Sequence, residues 1–182
     1  MKTILCAALA VLLGASHAWA AEDALGPAAN STFLADNAKK PGTITRPSGL
    51  QYRILRTGFG RRPAPGDIVR LFYTIRLING TVVDSTTPSL PASLSVDTVT
   101  LRGLSEALQL MHEGDRWQVV VPTALAFGVK GQGTAIPPNQ TLVFDITLVS
   151  AAPPQPGQTL DENPFSVWSN GREAGGAITI HP

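Results

Sequence analysis

The chain carries few side chains capable of covalent or metal chemistry. Histidine occurs at His17, His112 and His181 and cysteine only at Cys6, so a hydrolytic triad would have to use His112 as its base. His112 stands beside Glu113 at the end of a helix-like segment, which is the setting of a solvated helix-end residue. Asp84 and Asp97 could be paired as acid and base, but nothing in their spacing brings them together. Each follows a strand-like stretch, where Asp ordinarily makes a turn. Gly128, Gly131 and Gly133 imitate a phosphate loop, yet Ile136-Pro137-Pro138 follows them in place of a helix start. No metal, no cofactor and no nucleophile is expected. The domain must therefore work through an apolar surface and backbone groups.

Composition narrows the partners. With 14 Lys and Arg against 13 Asp and Glu in 182 residues, the chain lacks the clustered positive charge that phosphate neutralisation requires, so no nucleic-acid partner is expected. Lys2 precedes an apolar run from Ile4 to Leu13, and Ala18-Trp19-Ala20 offers small residues at the positions a signal peptidase reads. Residues 1–20 read as a signal peptide cleaved after Ala20, too short to span a bilayer. The expected location is the periplasm or the medium beyond it, with no membrane attachment after cleavage and no cysteine left for a disulfide.

The mature chain divides by composition. Residues 21–47 form a small, polar leader with a short helix around Thr32 to Lys40, stopped by Pro41-Gly42. Residues 48–150 alternate apolar runs with turn signals and make up the domain. Residues 151–182 open with Ala-Ala-Pro-Pro-Gln-Pro-Gly and read as a tail without regular structure. Within the domain the dominant period is two. Strands are expected over Leu50 to Arg56, Ile68 to Ile78, Arg116 to Val121 and Thr141 to Val149. Asn79-Gly80 predicts a type I′ turn into a partner strand at Thr81 to Asp84. One segment has helical spacing instead: Leu104, Ala107, Leu108 and Met111 share a face. The expected fold class is α+β, with about five strands in a curved antiparallel sheet wrapped around one short amphipathic helix.

Five segments in order carry a resemblance. Leu71-Phe72-Tyr73-Thr74, Asn79-Gly80-Thr81-Val82-Val83-Asp84-Ser85, Leu101-Arg102-Gly103-Leu104-Ser105-Glu106-Ala107-Leu108, Ala124-Leu125-Ala126-Phe127-Gly128 and Ile136-Pro137-Pro138-Asn139-Gln140-Thr141-Leu142-Val143-Phe144-Asp145 resemble the ordered motifs of FKBP-type peptidyl-prolyl cis-trans isomerases. The approach Pro47-Ser48-Gly49-Leu50-Gln51-Tyr52 is similar to the periplasmic, Mip-like bacterial branch. The resemblance implies an isomerase that twists Xaa-Pro amides without a covalent step and assists the folding of exported proteins. Its partners are then unfolded or flexible proline-containing polypeptides. It assigns catalysis to Tyr73, Asp84, Phe144 and the backbone N–H of Leu101, and substrate binding to Val83, Thr100, Leu104, Phe127 and Ile136. Three positions depart from the family pattern: Leu104 where Trp is usual, Val83 where Phe is usual, and Phe127 where Tyr is common. These departures imply reduced activity and leave a second reading open, a weakly active or inactive peptide-binding or holdase module. The leader from Ala21 to Lys40 is shorter than the long dimerising helix of the Mip-like branch, so a monomer is expected.

Overall fold

The computed structural model describes residues 24–97, 99 and 101–155. The expected signal peptide, residues 156–182 of the expected tail and Thr100 lie outside them, while Ala151 and Ala152 of that tail continue the last strand. The chain begins with helix α1 (Pro27–Ala38), followed by strands β1 (Thr43–Thr45), β2 (Gln51–Arg56), β3 (Ile68–Leu77), β4 (Val82–Ser85) and β5 (Ala92–Ser95). Helix α2 (Arg102–Leu110), strand β6 (Arg116–Val121), two 3-10 turns at Thr123–Leu125 and Gly128–Lys130, and strand β7 (Leu142–Ala152) complete it. The strands form one antiparallel sheet in the order β1-β2-β6-β7-β3-β4, with β5 paired to β3 beside that path. The α+β class holds, and β1 and β5 add to the strands expected. Each is only three or four residues long, too short to display a period.

One face of the sheet is apolar because its strands keep strict alternation. Val69, Leu71, Tyr73, Ile75 and Leu77 of β3, Trp117, Val119 and Val121 of β6, and Leu142, Phe144, Ile146 and Leu148 of β7 are all buried in one cluster. Leu104, Ala107, Leu108 and Met111 close that cluster from α2. Register shifts at Ile54/Arg56, Arg70/Leu71 and Ile75/Arg76 bend the sheet around the helix. The opposite face carries a polar row: Arg53 donates to Gln118, Gln118 to Asp145, and Arg76 pairs with Asp145, crossing β2, β6, β7 and β3.

Two local expectations change. The β3–β4 hairpin forms, but the N–H of Gly80 bonds to the C=O of Leu77 and only Gly80 has positive φ, at 89°. A type I′ turn needs positive φ at both central residues, so this is a wider loop with one left-handed glycine. Asn79 instead uses its side chain, accepting the Thr81 N–H. Helix α1 begins at Pro27, earlier than Thr32, with proline at its first position. Its buried side chains are the amides Asn30 and Asn37, so no apolar pattern marks its first turns. Asn30 Oδ1 accepts the N–H of Thr141 at 2.7 Å, and Asn37 Nδ2 donates to Gln51 Oε1 at 2.8 Å.

Gly103 sets how closely α2 approaches the sheet. A Cβ there would stand 2.5 Å from Val121 Cγ1 and 3.1 Å from Leu125 Cβ. Gly103→Ala should therefore lower stability by about 1–3 kcal/mol, because overpacking exceeds the small helix-propensity gain in the first turn. Urea unfolding measures it. Unchanged or higher stability would mean that the helix has room to ride farther from β6.

Candidate active site

The register of three strands builds the site. Phe144 of β7 lies opposite Ile75 of β3, and Ile75 lies opposite Asp84 of β4, so all three side chains share the inner face. Tyr73, two residues before Ile75, projects from that same face opposite Ile146. Its phenol donates to Asp84 Oδ2 at 2.6 Å. The pairing then steps from Ile75↔Asp84 to Arg76↔Val82, which leaves Val83 as an extra residue. This bulge lets two consecutive side chains turn inward, Asp84 toward Tyr73 and half-buried Val83 against the apolar cluster.

Backbone contacts fix the pair. The N–H of Tyr73 donates to Thr86 Oγ1 at 3.0 Å, the N–H of Thr86 returns to the Tyr73 carbonyl at 3.0 Å, and the N–H of Ser85 donates to Asp84 Oδ1 at 2.8 Å. Sequence reasoning did not single out Ser85 or Thr86, which look like ordinary turn residues. Burial pushes the Tyr73 phenol far above its usual range, reinforced by its bond to Asp84 and that carboxylate's charge, so Tyr73 keeps its proton. Burial also pushes the Asp84 carboxyl up, against the phenol and the Ser85 N–H, which favour its ionised form.

Of the remaining expected residues, Leu101, Leu104, Ile136 and Phe144 belong to the apolar cluster and Val83 and Phe127 pack against it. Leu101 precedes α2, and its carbonyl accepts the N–H groups of Leu104 and Ser105. Its own N–H has no acceptor among the described residues. Leu104, 1% exposed, faces the sheet from the first turn of α2. Phe127 is half-buried against the cluster just before the second 3-10 turn. Ile136 is held by reciprocal backbone bonds with Gln132 at 2.8 and 3.1 Å. Gly131 permits this approach, since its φ is 65° and a Cβ would collide with the Ile136 carbonyl. Tyr73, Leu101, Leu104, Ile136 and Phe144 are buried, so the surface open to a ligand belongs to Val83, Asp84 and Phe127. Thr100 lies outside the described residues. His112 lies just past the end of α2 with its side chain 38% exposed, its ring 3.9 Å from Asp115 and its backbone N–H donating to that carboxylate.

Asp84 supplies a stability test with a definite sign. A carboxyl whose folded pKa is raised costs nothing below its unfolded pKa of about 3.9; the cost grows as pH rises above that and is complete above the folded value. Asp84→Asn keeps an oxygen to accept the Tyr73 phenol and removes the charge. Relative to the parent, the variant should gain stability as pH rises from near 4 to 7, as read from urea unfolding at both. A relative loss on raising the pH would mean that the bonds to the ionised carboxylate outweigh its burial.

Residues 60–149 match the family described as FKBP-type peptidyl-prolyl cis-trans isomerase, and residues 13–54 match the domain amino terminal to FKBP-type peptidyl-prolyl isomerase. The chain is 47% identical over 124 residues to the outer membrane protein MIP of Legionella longbeachae, covering 68% of this chain and 53% of that one. It is 40% identical over 131 residues to the macrophage infectivity potentiator of Trypanosoma cruzi, covering 71% of this chain and 67% of that one. The crystal structure of a peptidyl-prolyl cis-trans isomerase from Pseudomonas syringae pv. tomato str. DC3000 superposes with a TM-score of 0.66 at 34% identity, over 72% of this chain and 95% of that one. The chain spans little more than half the length of several curated relatives it matches. Sharing their motifs, their sheet and their helix, this chain belongs to the FKBP-type peptidyl-prolyl cis-trans isomerase family.

Proposed function

We propose that the protein is a peptidyl-prolyl cis-trans isomerase acting on proline-containing segments of unfolded or flexible exported chains. The observation that carries this reading is the Tyr73–Asp84 pair set at the edge of a buried apolar face lined by Ile75, Phe144 and Leu104. Rotation about an Xaa-Pro bond faces a barrier of about 18–20 kcal/mol, because the planar amide has C–N double-bond character. Twisting removes that resonance and much of the amide dipole. An apolar, water-poor site penalises the planar form more than the twisted one and so lowers the barrier. No bond breaks, so neither a nucleophile nor a cofactor is required.

Each residue then has a role. Val83, Leu104, Phe127, Ile136 and Phe144 exclude water from the prolyl ring. The Leu101 N–H, which has no acceptor among the described residues, donates to a substrate carbonyl. This bond is at least as strong in the planar ground state as in the twisted one, so it orients substrate and does not itself accelerate rotation. Asp84, fixed by Tyr73, forms the polar side of the site. Export by the N-terminal signal places the enzyme in the periplasm, where slow prolyl isomerisation limits the folding of secreted chains. Among the described residues no helix is long and apolar enough to cross a membrane. We take the working form as a monomer.

The burial of Leu104 and Leu101 favours a second reading, a peptide-binding module with little turnover. An isomerisation assay on Xaa-Pro peptides with the mature chain separates the two. Acceleration above the uncatalysed rate is expected, and Tyr73→Phe should lower kcat/KM about tenfold in a protein that still unfolds cooperatively, the loss of one hydrogen bond to a charged group. Peptide binding without acceleration would leave the binding module.

A further inference from the structure

We propose that helix α1 is a positioning element of the prolyl site, acting through Asn30 and Gln140 on the segment that carries Ile136. This inference rests on the isomerase reading above. Between Ile136 and the start of β7 at Leu142 the chain has no regular structure of its own, and its path is set by what it bonds to. At one end the N–H of Asn139 donates to the Gly128 carbonyl at 2.9 Å, and Ile136 pairs with Gln132. At the other end the contacts come from the N-terminal region. Asn30 Oδ1 accepts the Thr141 N–H, and Gln140 Nε2 donates both to the Leu25 carbonyl at 3.0 Å and to the Pro138 carbonyl at 3.1 Å. Asn30 Nδ2 in turn donates to the carbonyls of Leu25 and Gly26 at 3.0 Å each. One amide of α1 and one of the segment thus share the Leu25 carbonyl.

Two further observations show that the segment is held under constraint. Asn139 sits at φ 62°, the single non-glycine residue at positive φ among the described residues. Such a conformation persists where surrounding bonds over-determine it. Thr141 is fully buried, so losing the Asn30 acceptor would strand its N–H away from water. The segment cannot relax by exchanging that bond for solvent. A change in α1 docking must move it, and Ile136 with it.

The test uses the full mature chain and Gln140→Met, which keeps the side-chain volume and removes both donors. Asn30→Ala serves as a second variant if it folds, and Asp36→Ala on the solvent face of α1 serves as the control. Gln140→Met should raise KM for an Xaa-Pro peptide about two- to tenfold with kcat within about twofold, because it loosens a binding wall without touching the Tyr73–Asp84 pair. Hydrogen exchange should quicken at Ile136 and Thr141, and Asp36→Ala should leave KM unchanged. An unchanged KM in Gln140→Met, whether or not α1 loses protection, would reduce α1 to a strap and overturn the proposal. An inactive parent protein would instead overturn the isomerase reading on which it rests.

Discussion

A single nine-residue helix covers the inner face of a seven-stranded sheet, counted among the described residues, and this limits everything else. Such a helix can shield that face only if it lies close and if almost every inward side chain is apolar. Gly103 provides the closeness by leaving no Cβ between α2 and Val121. Strict alternation in β3, β6 and β7 provides the apolar face. The one ionisable pair admitted to it is Tyr73 with Asp84, and it is admitted at the sheet edge, where β4 bulges and the carboxylate keeps partial contact with solvent. Deeper in the face an ionised carboxyl would have been too costly to desolvate.

That arrangement suits a reaction needing shape and dryness more than proton transfer. A phenol held protonated and a carboxylate held by two donors make a fixed dipole at the rim of an apolar surface. The departures at positions 83 and 104 change the volume of that surface without adding a polar group to it. Apolar exchange of this kind is tolerated better than the loss of a hydrogen-bonding partner.

The parts of the fold legible in the sequence were those whose pattern repeats. Val69 through Leu77 and Leu142 through Leu148 alternate long enough to identify β3 and β7, and Leu104 through Met111 identifies the only strongly amphipathic helix among the described residues. Residues 43–45 and 92–95 are too brief to alternate, so β1 and β5 were invisible until their partners were in place. The start of helix α1 has no apolar signature because it buries Asn30 and Asn37, whose partners Thr141 and Gln51 lie far along the chain. The candidate site was legible only through the order of its motifs. The contribution of Thr86 depends on the β3–β4 register, which no local spacing encodes.

The central claim is that the inner face would accelerate amide rotation by desolvation and shape, with no proton in flight. The most direct measurement is kcat/KM for an Xaa-Pro peptide in H2O and D2O across neutral to mildly alkaline pH. The account predicts equal rates in the two solvents and a flat profile, since Tyr73 stays protonated throughout. A normal solvent isotope effect, or a bell-shaped profile reporting an acid and a base, would contradict it.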